Sequence, residues 1–131
     1  MNALVEEWMR KGNGDFATAR RELSAVDLPN YDAVCFHAQQ CIEKLMKGLL
    51  IERDSTPPKI HDLAELHRLL IRACPDWDWD LGELHYLSRA AVEFRYPGES
   101  ADHEDAAQSM AICERLRIAL MRHLQRSEPG G

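Results

Sequence analysis

The chain lacks the long apolar run that a membrane-spanning helix requires. No stretch of its 131 residues approaches the roughly 20 consecutive apolar residues needed to cross a bilayer. The first twelve residues, MNALVEEWMRKG, include acidic side chains where a secretory signal would carry basic ones. We therefore predict a cytoplasmic protein with no membrane partner.

The chain also lacks an excess of positive charge. It has 16 lysines and arginines against 22 aspartates and glutamates, which gives a formal net charge of −6. Proteins that bind DNA or RNA by general electrostatic attraction usually carry an excess of basic residues. Any contact with nucleic acid must therefore be made through a local patch.

Neither the four cysteines nor the six histidines have the spacing of a metal site. Cys35 and Cys41 point about 120° apart on a helix. His61 and His67 are six residues apart across a predicted helix start, which does not place two ligands on one face. A nucleophilic cysteine with a histidine base is an alternative, but a thiol on an apolar helix face is normally inert. We predict no metal, no other cofactor, and reduced thiols that act as small buried apolar residues.

Strand-like alternation is missing, whereas helical periodicity extends over most of the chain. A length of 131 residues and a hydrophobic fraction of 45% suit one globular domain with its own core. We expect a single domain, residues 1–131 with an ordered core of about 3–126, folded as an all-α, antiparallel up-and-down bundle of five helices. The helices are predicted over residues 3 to about 25, over 31–53 after the N-cap Asn30, and after Asp62, Asp80, and Ser100 or Asp102. Gly12-Asn13-Gly14 is expected to kink or fray the first helix.

The second predicted helix, residues 31–53, is apolar over roughly half of its circumference, which is wider than a surface helix needs. We expect it to lie at the centre of the bundle and to present enough apolar surface to form a homodimer. On its other side, polar residues follow one another at steps of three and four: His37, Gln40, Lys44 and Lys47. We call these four the polar ridge. Gly48 lies beside the ridge, and a glycine within a helix predicts the close approach of another backbone or a ligand.

The polar ridge has two interpretations. It is either a solvated helix face on which Glu43 and Lys47 form an i, i+4 ion pair, or a binding surface. A second feature favours binding. The turn Arg95-Tyr96-Pro97-Gly98 places a guanidinium and a phenol at a helix end, and His103 follows in the first turn of the next helix. Arg95 could instead satisfy carbonyls at the helix end while the rest of the segment makes the turn.

Several segments together resemble a known family. The segments WMRKGNGDFATAR, YDAVCFHAQQCIEKLMKGLL, IHDL and FRYPG, followed by a long last helix, are similar in order and content to the HEPN family of small helical domains. The resemblance spans nearly the whole chain. It implies a helical bundle that forms homodimers and is often encoded beside a minimal nucleotidyltransferase, as a toxin-antitoxin-like pair.

The resemblance implies two kinds of function. The favoured one is a nucleotide-binding or regulatory module that acts with a nucleotidyltransferase partner. Lys44, Lys47 and Arg95 would then meet phosphates, Tyr96 would meet a base or ribose, and the rest of the polar ridge would complete the site.

The alternative is a metal-independent RNase with a composite site at a dimer cleft. There His103 would take the proton from a ribose 2′-hydroxyl and Arg95 would stabilise the charged phosphate. In such RNases the arginine is followed about four to six residues later by the histidine. Seven residues separate Arg95 from His103 here, with Pro97 and Gly98 among them, so only Arg95 matches the pattern. A third hypothesis is a purely structural dimerisation module.

Overall fold

The computed structural model describes residues 2–126. Within that range it contains five α-helices and no strand, as the sequence predicts. The helices are α1 (Ala3–Leu23), α2 (Tyr31–Glu52), α3 (Leu63–Ala73), α4 (Leu81–Glu93) and α5 (His103–Arg126). No helix in this part of the chain is both long enough and apolar enough to span a membrane.

Each helix begins where a short polar side chain can accept a backbone N–H. The Asn30 side chain accepts the N–H of Ala33 at 3.0 Å, and Asp62 and Asp80 accept N–H groups at 2.9 and 2.8 Å. For α5 the cap is Asp102, whose carboxylate accepts the N–H of Asp105 while the Asp105 carboxylate accepts the N–H of Asp102. The predicted N-caps at Asn30, Asp62 and Asp80 are confirmed, and Asp102 rather than Ser100 caps α5.

The expected interruption of α1 at Gly12-Asn13-Gly14 is wrong, because the helix continues unbroken to Leu23. Packing explains why the glycine is accommodated. A Cβ added at Gly12 would lie 3.0 Å from the Leu45 side chain and 3.2 Å from the Cys41 carbonyl oxygen. Gly12 therefore allows α1 to approach α2 closely, and the contact offsets the low helix propensity of glycine.

The central position predicted for α2 is confirmed. It contacts each of the other four helices, and most of its large apolar side chains are at most 1% exposed: Ile42, Leu45, Met46, Leu49 and Leu50. A single chain therefore covers most of the apolar surface of α2. The sequence predicts a homodimer because apolar surface on this helix is expected to stay uncovered in a single chain. That reason does not hold for these buried side chains.

The start of α1 packs through Val5, which is fully buried, whereas the neighbouring Leu4 is 53% exposed. Gly48 is a point of close approach on the α2 side, since a Cβ there would lie 3.1 Å from the Trp8 Cβ. The predicted close approach at Gly48 is confirmed, and the approaching element is α1.

The segment between α3 and α4 closes one end of the bundle. Trp77 is 2% exposed and its ring centroid lies 3.8 Å from that of Trp79 and 4.6 Å from that of His123. The His67 ring, also buried, accepts the Trp79 N–H at 3.2 Å. These contacts fix the segment before α4 against α3 and α5. All four cysteines are free and buried.

Candidate functional site

The polar ridge on α2 is not a solvated helix face. The Lys47 ammonium lies 3.1 Å from the Glu43 carboxylate, and the two side chains are only 8% and 5% exposed. The predicted i, i+4 pair is therefore present, but its predicted exposure to solvent is wrong. Lys47 also lies 6.0 Å above the Trp8 ring, so α1 helps to cover the pair.

Asp15 of α1 contacts the next part of the ridge, at His37 and Lys44. One of its carboxylate oxygens lies 2.7 Å from the His37 Nδ1 and the other lies 2.6 Å from the Lys44 Nζ. The Asp15 side chain is 11% exposed, so these charge-assisted contacts are partly shielded from water. Two of the four ridge side chains therefore join α1 to α2.

A partly buried hydrogen-bond network extends from the ridge to the segment before α3. The Gln39 Nε2 donates to Glu43 at 2.9 Å and to the His61 carbonyl at 3.0 Å, and its Oε1 accepts from Gln40 at 2.9 Å. The His61 Nδ1 lies 3.0 Å from a Glu43 oxygen. Sequence reasoning missed Gln39, Glu43 and His61 as one unit, although the segments FHAQQ and IHDL contain two of them.

A groove of about 450 Å³ lies between α2 and α4 beside this network. We call it the Arg95 groove. Its lining residues come from α2, from the start of α3, from α4 and from the turn after α4: Phe36, Gln39, Gln40, His61, Asp62, Ser88, Ala91, Val92 and Arg95. The Arg95 guanidinium carbon lies 5.0 Å from the centroid of the Phe36 ring. A guanidinium stacked on an aromatic face keeps its in-plane N–H groups available for an oxyanion.

A second, shallower depression of about 320 Å³ shares Phe36 and Arg95 with the groove and adds His37 and residues at the start of α2. Arg95 and Phe36 therefore lie between the Arg95 groove and this depression. Within residues 2–126, the Arg95 guanidinium has no ion pair with a carboxylate. This guanidinium is therefore not neutralised by a carboxylate among these residues.

The structure brings only some of the predicted site residues together. Arg95 and Gln40 line the groove, His37 lines the neighbouring hollow, and Tyr96, next to Arg95 in the chain, is 64% exposed. Lys44 instead lines a cavity against α1 with Trp8, and Lys47 is buried.

His103 lies apart from the Arg95 contact. Its ring is 5.5 Å from the ring of Tyr31, whereas Arg95 lies over Phe36. Positions 31 and 36 of one helix project about 140° apart. Arg95 and His103 thus contact different sides of α2. Across the described residues, no three histidine, cysteine or acidic side chains are grouped as metal ligands would be.

Comparisons with known proteins identify the family. The HEPN domain family profile matches residues 5–124. Two solved structures have the same fold. TT1696 from Thermus thermophilus is 18% identical, with a TM-score of 0.74 over 91% of this chain and 97% of that one. ST0689, an archaeal HEPN homologue, is 20% identical, with a TM-score of 0.67 over 97% of this chain and 100% of that one. No curated protein sequence matches significantly. The chain belongs to the HEPN domain family.

Proposed function

We propose that this HEPN domain is a non-catalytic nucleotide-binding or regulatory module whose ligand phosphate is held by Arg95. The observation that supports this proposal most is the stacking of Arg95 on Phe36 at the edge of the Arg95 groove. A planar guanidinium supported by a ring is held in one orientation, so it loses little freedom when it binds a phosphate through two hydrogen bonds.

The rest of the groove suits a nucleoside. Its volume of about 450 Å³ falls within the range of small-molecule sites. Its walls combine apolar groups with amide, imidazole and hydroxyl groups from Gln40, His61 and Ser88, and with one carboxylate, from Asp62. Tyr96 is exposed beside Arg95 and is available to stack on a base or ribose.

Lys44 and Lys47 have a different part in this proposal from the one that the sequence suggests. Both ammonium groups already contact carboxylates, at 2.6 Å from Asp15 and 3.1 Å from Glu43. Moving either one to a ligand phosphate would leave a poorly solvated carboxylate without its partner. We therefore propose that these lysines stabilise the packing of α1 on α2, which forms one wall of the groove, and do not contact the ligand.

The proposed module acts as a homodimer with a nucleotidyltransferase-type partner. The partner rests on family membership. The dimer has support from exposed apolar side chains next to Arg95, since Val92 is 55% and Tyr96 is 64% exposed. Apolar side chains that flank a polar site can be covered by a second copy.

The RNase alternative requires Arg95 and His103 to act on one phosphate. Their contacts with Phe36 and Tyr31, on different sides of α2, favour binding over cleavage in a single chain. The negative net charge of −6 favours a small ligand over a long RNA.

The test is a calorimetric titration of nucleoside mono- and triphosphates into wild type, Arg95→Lys and Arg95→Ala. Arg89→Lys is the matched control, because Arg89 is an exposed arginine of α4 that pairs with Glu93. We expect both Arg95 variants to weaken binding several-fold and the control to bind as wild type does.

A parallel assay with single-stranded RNA and a chelator, on wild type, Arg95→Ala and His103→Ala, distinguishes the alternatives. Cleavage by wild type that both variants lose would replace the binding proposal with the RNase. Neither binding nor cleavage by wild type would leave a structural dimerisation module.

A further inference from the structure

A second cavity with two arginines lies at the other end of α2. Its volume is about 420 Å³, and we call it the arginine pocket; its lining residues are Leu50, Arg53, Ser55, Thr56, Leu69, Arg72 and Ala73. Arg53 is seventeen positions after Phe36, which at 1.5 Å per residue places the pocket roughly 25 Å from the Arg95 groove along α2. It is therefore a separate site, formed where α2 and α3 end.

The geometry of the chain after α2 places two hydroxyl side chains in this pocket. Asp54 has a positive φ of 61°, and the backbone N–H groups of Asp54 and Ser55 donate to the Ile51 and Leu50 carbonyls at 3.0 and 2.8 Å. This left-handed helix end reverses the chain direction. It brings Ser55 and Thr56 beside Arg53 in the pocket lining.

Arg53 has an unmet hydrogen-bonding group. Its Nε is buried and has no hydrogen-bond partner among the described residues. Buried polar atoms are normally paired, so a buried guanidinium N–H without an acceptor among these residues leaves a position for an acceptor such as a ligand oxygen. Among residues 2–126, neither Arg53 nor Arg72 forms an ion pair with a carboxylate.

Several carbonyls at the ends of the two helices are already satisfied by backbone N–H groups and do not require the two arginines. At the end of α2, backbone N–H groups donate to the carbonyls of Leu49, Leu50 and Ile51 at 2.8–3.0 Å. At the end of α3, the Cys74 N–H donates to the Leu70 carbonyl at 2.7 Å. The guanidinium donors therefore remain for a ligand.

The charge balance of the pocket is positive. Burial raises the pKa of the Cys74 thiol, while Arg53 acts to lower it and Asp76 acts to raise it. The residues that line the pocket include two arginines and no aspartate or glutamate, so the lining favours an anion.

We propose that the arginine pocket binds the phosphate group of a small molecule, independently of the Arg95 groove. Each guanidinium offers several N–H donors and each hydroxyl offers one. A carboxylate has two oxygens, whereas a phosphate monoester has three terminal oxygens that accept from several directions, so phosphate matches this donor set better. The apolar wall of Leu50 and Leu69 would contact the rest of the ligand.

The experiment follows backbone amide signals by NMR while inorganic phosphate, and separately a nucleoside monophosphate, is titrated into the full chain at constant ionic strength. We expect saturable shifts at Ser55 and Thr56 with both ligands. Tighter binding of the nucleoside monophosphate would identify a phosphate ester as the ligand, and equal binding would identify free phosphate.

The variants are Arg53→Gln and Arg72→Gln. Each keeps N–H donors on the side chain, now from an amide, and removes the positive charge. Arg68→Gln is the matched control, since Arg68 lies on α3, is exposed and pairs with Glu65. We expect at least about a tenfold loss of affinity for the two pocket variants, as for other charged hydrogen bonds, and none for the control. Arg72 is exposed, so its variant tests the site even if Arg53→Gln unfolds the protein.

Two results would overturn the proposal. One is the absence of saturable shifts at Ser55 and Thr56, which would indicate that a water satisfies the Arg53 Nε. The other is an equal response of Arg72→Gln and Arg68→Gln. Nucleotide binding in the Arg95 groove should persist in both pocket variants, so failure of one site does not imply failure of the other.

Discussion

The Lys47 ammonium lies 3.1 Å from the Glu43 carboxylate in an ion pair that is almost completely enclosed by protein. Glu43 also lies within hydrogen-bond distance of Gln39 and His61, at 2.9 and 3.0 Å. The carboxylate is therefore satisfied from three sides, although little water reaches it. A buried charge of this kind depends strongly on each of its partners.

Removal of Lys47 should therefore be costly. We expect Lys47→Met to lower the free energy of unfolding by about 3–5 kcal/mol, because it leaves a buried carboxylate without its counter-charge. Urea denaturation measures the loss. The control is Lys11→Met, whose pair with Glu7 is 3.8 Å long and exposed, and this change should cost less than about 1 kcal/mol.

The double variant Lys47→Met/Glu43→Leu should recover a large part of that loss, since replacing both members of a buried pair by apolar residues is often nearly neutral. Equal effects of Lys47→Met and Lys11→Met would contradict the burial of the Glu43–Lys47 pair.

Three glycines should respond differently to larger residues. Gly48→Leu and Gly12→Ala are expected to lower the melting temperature. An added Cβ lies 3.1 Å from Trp8 at position 48 and 3.0 Å from Leu45 at position 12. Overpacking of this kind costs about 1–3 kcal/mol. Gly14→Ala should raise it, since no atom lies within 4 Å and alanine is favoured in helices by about 1 kcal/mol. A higher melting temperature for Gly48→Leu would show that α1 does not pack there.

The helix starts could be predicted from the sequence because caps are local. Asn30, Asp62 and Asp80 each bind an N–H two or three residues away, and this interaction depends on little beyond the chain nearby. The centrality of α2 was predictable for a similar reason, since its wide apolar surface requires cover on several sides.

The state of the polar ridge could not be predicted in this way. Periodicity assigns Lys44 and Lys47 to an outer face and predicts the Glu43–Lys47 pair, but the pairing of Lys44 with Asp15 and the burial of Lys47 depend on how α1 lies across α2. That packing depends on Gly12 and Gly48, whose missing side chains permit the approach. From the sequence alone these glycines predict a weak helix or a close contact, and only the tertiary structure decides between them.

Stability should fall in mild acid because of His67. Burial lowers the pKa of His67 below its ordinary value of 6.5, although Asp78 opposes the shift, and the neutral ring accepts the Trp79 N–H. The unfolded chain then binds a proton at a higher pH than the folded chain does. The stabilisation is complete above about pH 6.5 and is lost as the pH falls through the lower, folded-state pKa.

Melting temperatures measured from neutral to mildly acidic pH test this prediction. His67→Gln should show a shallower decline with falling pH than wild type, and His85→Gln, which changes an exposed histidine, should decline as wild type does. Parallel curves for all three proteins would show that His67 does not contribute to the pH dependence.

The four thiols should react slowly in the native protein. Burial raises the pKa of Cys35 and of Cys74. The pKa of Cys41 is raised mainly by a hydrogen bond with Cys113 and also by burial. Because the thiolate is the reactive form, a thiol reagent should modify native protein far more slowly than denatured protein. A cysteine that reacts at the same rate in both states would not be part of the core.

Lys44 and Arg95 should show opposite patterns of effects. Lys44→Gln removes a partly shielded partner of Asp15, so it should lower stability by about 1.5–3 kcal/mol, as for hydrogen bonds to charged groups, without changing nucleotide affinity. Arg95→Lys should leave the melting temperature within about one or two degrees, as exposed substitutions usually do, yet weaken nucleotide binding several-fold because lysine lacks the planar fork. Calorimetry and thermal melts on the two variants measure both quantities. If Lys44→Gln instead weakens binding as much as Arg95→Lys and leaves the melting temperature unchanged, the polar ridge itself contacts the ligand.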